Sequence, residues 1–367
     1  MTVHRLIGSP LAAIIFLVTA GAVPAQTQKE LLDELDRTIE EAESYVAAKE
    51  VRIKTIENSL HSRGVSPERQ YKIYGELFDE YQPFNYGKAV ENLEKQKEIA
   101  MLLGDKSKLN NVYLKEAMLN TAAGEFLEAR NDLALVDTTI FTKEQEIAYC
   151  NVQQRFWFDY DENQKGADKS MLRKVAYYRE RLLALADPSS SLSRYVTVRK
   201  CIDEMNFAQA DFINRHSLSR MDPASHDYAN LAYFQARICE QLNRWEEMKN
   251  WFIRSAMADI KTATKDNASL FSLADALFKD GDYARAFKYS SFSLEDAIAF
   301  DAKLRQWQIS AILPAVQKSY TDIQQTHQKK TSNMLVAMYV LVFLHKSADG
   351  KLTAGPIWDF DWGVLSY

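Results

Sequence analysis

Five times in this chain an aromatic residue is followed three positions later by a small or flexible apolar one: Tyr86/Ala89, Phe126/Ala129, Phe207/Ala210, Trp245/Met248 and Tyr283/Ala286. The aromatics are spaced 40, 81, 38 and 38 residues apart, and the doubled step leaves room for a degenerate copy around residue 167. A period near 40 is that of a helical hairpin too small to bury its own apolar face, so each unit must stack on its neighbours. In SLFSLADALFKDGDYARAFKYS, Leu270, Leu273, Ala274 and Leu277 fall on one face of a first helix. Gly281 and Asp282 make the turn, and Tyr283 starts a second helix. VYLKEAMLNTAAGEFLEARNDL repeats the plan with Tyr113, Ala117, Gly124, Phe126, Ala129 and Leu133. The small residue lets two helices approach closely. The aromatic is predicted to fill the gap between one hairpin and the next.

Only 12 Gly and 8 Pro punctuate the 367 residues, which favours long helices over strands. The predicted fold is all-α, a superhelix of stacked hairpins over residues 66–325. Ser66 is a good N-cap and Pro67 a good first helical residue. Ahead of them, in residues 26–65, Leu32, Leu35, Ile39, Ala42, Val46, Ile53, Ile56 and Leu60 recur at three- and four-residue steps, with Lys49 interrupting one position. That pattern predicts one long amphipathic helix packed on the helices that follow it, with a coiled-coil partner as the alternative. Behind the repeats, residues 331–344 predict a short hydrophobic helix built on Met334 to Leu344. Fourteen residues of helix span ~20 Å, against a hydrocarbon core of ~30 Å.

The first 25 residues, with Arg5, the apolar Leu11 to Val18 and the small Val23 and Ala25, form a signal-peptide pattern. The expectation is an exported chain beginning at Gln26, periplasmic or on the periplasmic face of the inner membrane. An uncleaved anchor is the alternative. A net charge of −5 without a basic stripe points away from nucleic acid. Cys150, Cys201 and Cys239 are odd in number and widely spaced, so buried free thiols are expected. No CxxC, HExxH, nucleophile elbow or Gly-rich phosphate loop occurs, so no enzyme and no cofactor is expected. RFWFDY (Arg155 to Tyr160) is expected to be core between repeats, and His216 and His226 to flank a solvated turn.

The hairpin pattern resembles the tetratricopeptide repeat (TPR) over roughly Ser66 to Tyr320, closely in the two copies quoted and loosely elsewhere. The order of signal peptide, charged helix, repeats, QISAILPAVQKSY and the apolar run MLVAMYVLVFL resembles the extracytoplasmic half of a family of bacterial membrane-spanning repeat regulators with a C-terminal domain of unknown function. In that family the apolar run is a full membrane helix followed by a cytoplasmic output. The resemblance implies a truncated relative: an exported, non-enzymatic protein that binds a peptide or protein, the sensory or scaffold half of such a regulator. A purely structural envelope scaffold is a further reading. The tail KLTAGPIWDFDWG resembles a stretch of the CotH kinase family, which makes Asp359 and Asp361 candidate Mg²⁺ ligands. The alternative it raises is an incomplete CotH-like kinase fragment. Phosphoryl transfer needs many preorganised groups that the rest of the sequence does not offer, so an inert tail is expected.

Overall fold

The computed structural model describes residues 27–62, 64–164, 169–265, 268–300 and 303–348. The regular structure in them is helical. Six antiparallel hairpins follow one another: α3 (Pro67–Tyr81) with α4 (Tyr86–Leu102), α5 (Lys106–Ala123) with α6 (Phe126–Leu135), α7 (Lys143–Asn163) with α8 (Lys169–Leu185), α9 (Ser191–Asp203) with α10 (Phe207–Leu218), α11 (His226–Gln241) with α12 (Trp245–Lys261), and α13 (Ser269–Asp280) with α14 (Tyr283–Phe300). They are preceded by α1 (Gln28–Glu40) and α2 (Ala42–Leu60) and followed by α15 (Lys303–Ala348). This is the all-α helical-repeat architecture that the period predicts.

Local chemistry sets the helix ends. Ser66, Asn85, Asp105, Thr142, Ser190, Asn206 and Ser225 each accept a backbone N–H of the first turn that follows. Among the described residues four hairpins share one turn. Gly124, Met205, Asn243 and Gly281 take the left-handed conformation, with φ of +86°, +56°, +56° and +87°. The next residue's N–H then closes onto the carbonyl five positions back, at 2.8 Å for Glu125, Asn206 and Arg244 and 2.9 Å for Asp282. Each turn residue lies two positions before the aromatic that begins the second helix.

The N-terminal segment differs from the single helix expected. It breaks at Glu41, where φ is −90° and ψ is 0°. The two halves serve different partners, which one straight rod could not reach. Ile53 of α2 joins Ile73 and Leu77 of α3. Leu31, Leu32 and Leu35 of α1 instead complete a core with Phe252, Ile253, Leu270, Leu273, Tyr289 and Val316. Thus α1 packs on helices more than two hundred residues away, not on those that follow it. The repeat array closes on itself at a second point: Lys265 N–H donates to the Pro83 carbonyl at 2.8 Å, and the Tyr86 and Phe300 rings meet edge-on at 6.4 Å.

The boundaries drawn at residues 325 and 331 fall inside one helix. Between Lys303 and Ala348 only Pro314 interrupts the hydrogen-bonding pattern, and α15 continues through it. Its apolar stretch is the distal end of that helix, with Met334, Met338, Leu341 and Leu344 all more than half exposed. Among the described residues no helix is long and apolar enough to cross a membrane.

Candidate functional site

Between α3, α5 and α7, with Gln96 of α4 at one side, lies a cavity of about 390 Å³. Phe78, Leu114, Met118 and Val152 give it an apolar body. Its polar groups are Tyr71, Asp79, Gln82, Gln96, Asn111, Lys115 and Asn151. These groups are held in place by one another. Lys115 Nζ lies 3.1 Å from Asp79 Oδ1 and 4.5 Å from the centre of the Phe78 ring. Gln145, almost fully buried, donates to Asn111 Oδ1 at 2.9 Å and to the Ser107 carbonyl at 2.7 Å. The Tyr71 hydroxyl donates to the Lys108 carbonyl at 3.1 Å. Burial raises its pKa to about 12, so it stays a neutral donor.

Asp79 also lines a second cavity of about 470 Å³, shared with Lys49, Ile56, Glu76, Glu80, Pro83, His226, Thr262 and Thr264. The two cavities share that one lining residue, and the second lies where the array closes. Lys49 sits there only 4% exposed, 3.5 Å from Glu80 and 3.4 Å from the Thr262 carbonyl. Burial lowers the pKa of its ammonium, and the Glu80 carboxylate opposes that shift. The sequence showed Lys49 only as a polar break in an apolar stripe. That was the one signal it gave.

Tyr86, Phe126, Phe207, Trp245 and Tyr283 are the first residues of α4, α6, α10, α12 and α14. Ala89, Ala129, Ala210 and Ala286 are fully buried, and Met248 is nearly so. The rings differ. Phe126 packs edge-on against Phe156 and Tyr160 of the next hairpin. The Tyr86 hydroxyl donates to Asn120 Oδ1 in the next hairpin at 2.8 Å. Tyr283 meets Phe278 of its own hairpin. Trp245 is 52% exposed and fills no gap; Met248 and Phe252 supply the contacts to the core there. The degenerate copy expected around residue 167 is the hairpin of α7 and α8, with residues 165–168 between them outside the described residues. The leader (1–25), and Asp359 and Asp361 of the tail, also lie outside the described residues.

In RFWFDY, Phe156 is buried and stacks on Tyr160, while Phe158 lies under the Arg199 guanidinium at 3.9 Å. His226 is not simply a solvated turn residue. It begins α11, with Asn230 at 3.1 Å and Thr264 at 3.4 Å. All three cysteines are free and buried, and burial raises Cys150 to about 11. Among the described residues no group of three or more His, Cys, Asp or Glu could hold a metal ion. Reasoning from sequence missed the polar cavity residues because they stand on polar faces of α2, α3, α4, α5 and α7, where no periodicity marks them.

No curated protein sequence matches the chain. Among solved structures, the crystal structure of Rap protein complexed with Competence and Sporulation Factor is similar at a TM-score of 0.47 and 12% identity, over 88% of this chain and 95% of that one. The sequence profile described as the SusR N-terminal TPR domain matches residues 39–311. That span takes in α2, all six hairpins and the start of α15, and so every helix that lines the groove. The chain is a TPR-type helical-repeat protein and belongs to the SusR N-terminal TPR domain family.

Proposed function

We propose that this chain is an exported, non-enzymatic binding module whose inner groove takes an extended segment of a peptide or protein. The observation that carries the reading is the pair of neighbouring cavities that have Asp79 in both linings. Their walls mix apolar surface with carboxamides, two lysines and carboxylates. An extended chain presents unpaired N–H and C=O groups along its length, and Asn and Gln can pair with both. Stacked first helices give such a chain a continuous concave path.

In this reading the module is the sensory half of a membrane-associated regulator, working at the periplasmic face of the inner membrane. The distal part of α15 supports membrane association. From Met334 to Leu344 it is apolar around its whole circumference and exposed. A helix apolar on every side is one that belongs in an apolar surrounding.

A random peptide array probed with the purified full chain tests the binding reading. Selective binding that weakens at least about tenfold in Lys115→Glu, through loss of the donor and reversal of charge in the groove, is the expected result. Absence of selective binding, or binding indifferent to Lys115→Glu, rejects it. N-terminal sequencing of the chain from cell-envelope fractions tests export, with Gln26 expected as the first residue.

A further inference from the structure

The apolar run at the distal end of α15 is too short to cross a bilayer, and basic residues flank it at both ends. From Met334 to Leu344 it has 11 residues, a rise of ~16 Å against a hydrocarbon core of ~30 Å. Lys329 and Lys330 precede it, and His345 and Lys346 follow it. Between Asp322 and Asp349 the chain has three lysines and no carboxylate, although its net charge is −5. Val340, Leu341, Val342 and Phe343 follow one another around a full helical turn, and each is more than half exposed. A partner helix or a protein groove covers one stripe of a helix. An apolar surface that faces every way calls for a medium that surrounds it.

We propose that this run lies flat within one leaflet of an anionic bilayer, with the lysines at its two ends held among the lipid phosphates. The inference rests on the membrane-association reading above and names the lipid charge and the pose. Spanning fails on length, because the two basic ends cannot both reach water. End-on insertion into one leaflet would carry Lys346 to the bilayer midplane, where an ammonium is costly. The flat pose leaves both ends at the headgroups, where lysine stems extend along apolar surface and their charges meet anionic lipid. The helix is continuous from Lys303 to Ala348, so the run sets the direction of all of α15. Ile309 and Val316 near its start are buried in the repeat body. The body is thereby laid beside the membrane rather than raised above it.

The test uses the full chain and vesicles of two compositions, phosphatidylcholine alone and phosphatidylcholine with added phosphatidylglycerol. Flotation should show at least about tenfold stronger partition onto the anionic vesicles. Lys329→Gln with Lys330→Gln should remove most of that preference and leave binding to the neutral vesicles unchanged. Spin labels on Asn333→Cys and on Leu344→Cys, which stand on one face three turns apart, then report depth by collision with oxygen and with a water-soluble nickel chelate. The native thiols are buried. Equal depths at the two positions are the expected result. Depths that differ by ~16 Å show end-on insertion and overturn the flat pose. Equal partition onto both kinds of vesicle overturns the role of the lysines. Either of these outcomes leaves membrane association standing. Flotation with neither kind of vesicle overturns the inference and the membrane reading together, and a dimer in sedimentation that is lost in Val340→Asp with Phe343→Asp would then assign the run to a second copy of the chain.

Discussion

Asp36 of α1 and Arg285 of α14 form an ion pair across 249 residues, with Arg285 Nε donating to Asp36 Oδ2 at 2.9 Å. Lys288 Nζ and the Tyr289 hydroxyl donate to the other carboxylate oxygen at 2.9 and 3.2 Å. The pair fastens the first helix to the last hairpin, beside the core to which Leu35 contributes.

That contact makes stability depend on pH with a definite sign. Burial acts to raise the Asp36 pKa, but the hydrogen bonds from Lys288 and Arg285 outweigh it and hold the carboxyl below its ordinary value. A carboxyl with a depressed folded-state pKa contributes stability above the unfolded value of ~3.9 and loses it as pH falls through the folded value. Asp36→Asn should therefore destabilise the chain by about 1–2 kcal/mol at pH 7, allowing for partial solvent screening. In urea titrations the gap between variant and wild type should narrow as pH drops below ~4. A gap independent of pH would show that the Asp36 charge contributes nothing.

The repeat residues should separate by burial. Ala210 has no exposure, so Ala210→Leu forces a larger side chain between two packed helices and should cost about 1–3 kcal/mol. Trp245→Ala, at a ring 52% exposed, should stay within about 0.5 kcal/mol of wild type. Chemical denaturation of the two variants side by side measures both, and equal losses would contradict the burial pattern.

Met205 holds φ at +56° in a turn where two sister hairpins use Gly124 and Gly281. A side chain in the left-handed region costs roughly 1–2 kcal/mol. Met205, 76% exposed, has little packing to lose. Met205→Gly should stabilise the chain by about 1 kcal/mol, and Gly281→Ala should destabilise it by a similar amount. Thermal melts of the two variants moving in the same direction would refute a shared turn.

The distal half of α15 should be separable from the folded body. Val340 and Phe343 are each 51% exposed, so Val340→Asp with Phe343→Asp should leave the melting temperature unchanged. The same pair of changes should abolish flotation of the chain with phospholipid vesicles. Flotation that persists would place membrane contact elsewhere in the chain.

The hairpin plan was legible in the sequence because burial on one face imposes a period, and the period survives in Ala89, Ala129, Ala210 and Ala286. Helix starts were legible for the same reason, through caps and turns that act within a few residues. The partner of α1 was not. Leu31, Leu32 and Leu35 announce an apolar stripe, but a stripe says nothing about which distant face will cover it. The groove was hidden more deeply, since Tyr71, Asn111 and Asn151 look like ordinary solvent-facing residues until helices from three hairpins are set side by side. Gln96 could not be singled out at all, because the burial of a carboxamide is a property of the packed state.

The anchoring of α1 on α12 and α14 also bears on how the chain is made. Ribosomes extend a chain at ~5–20 residues per second, so α1 leaves the ribosome on the order of ten seconds or more before the helices it needs. During that interval Leu31, Leu32 and Leu35 have no surface to cover them, and the newborn repeats stack in a row that is open at both ends. Docking of α1 comes last and turns that row into a loop. A row can fray from either end, but a loop has no terminal repeat to lose first, so its two extremities should unfold together.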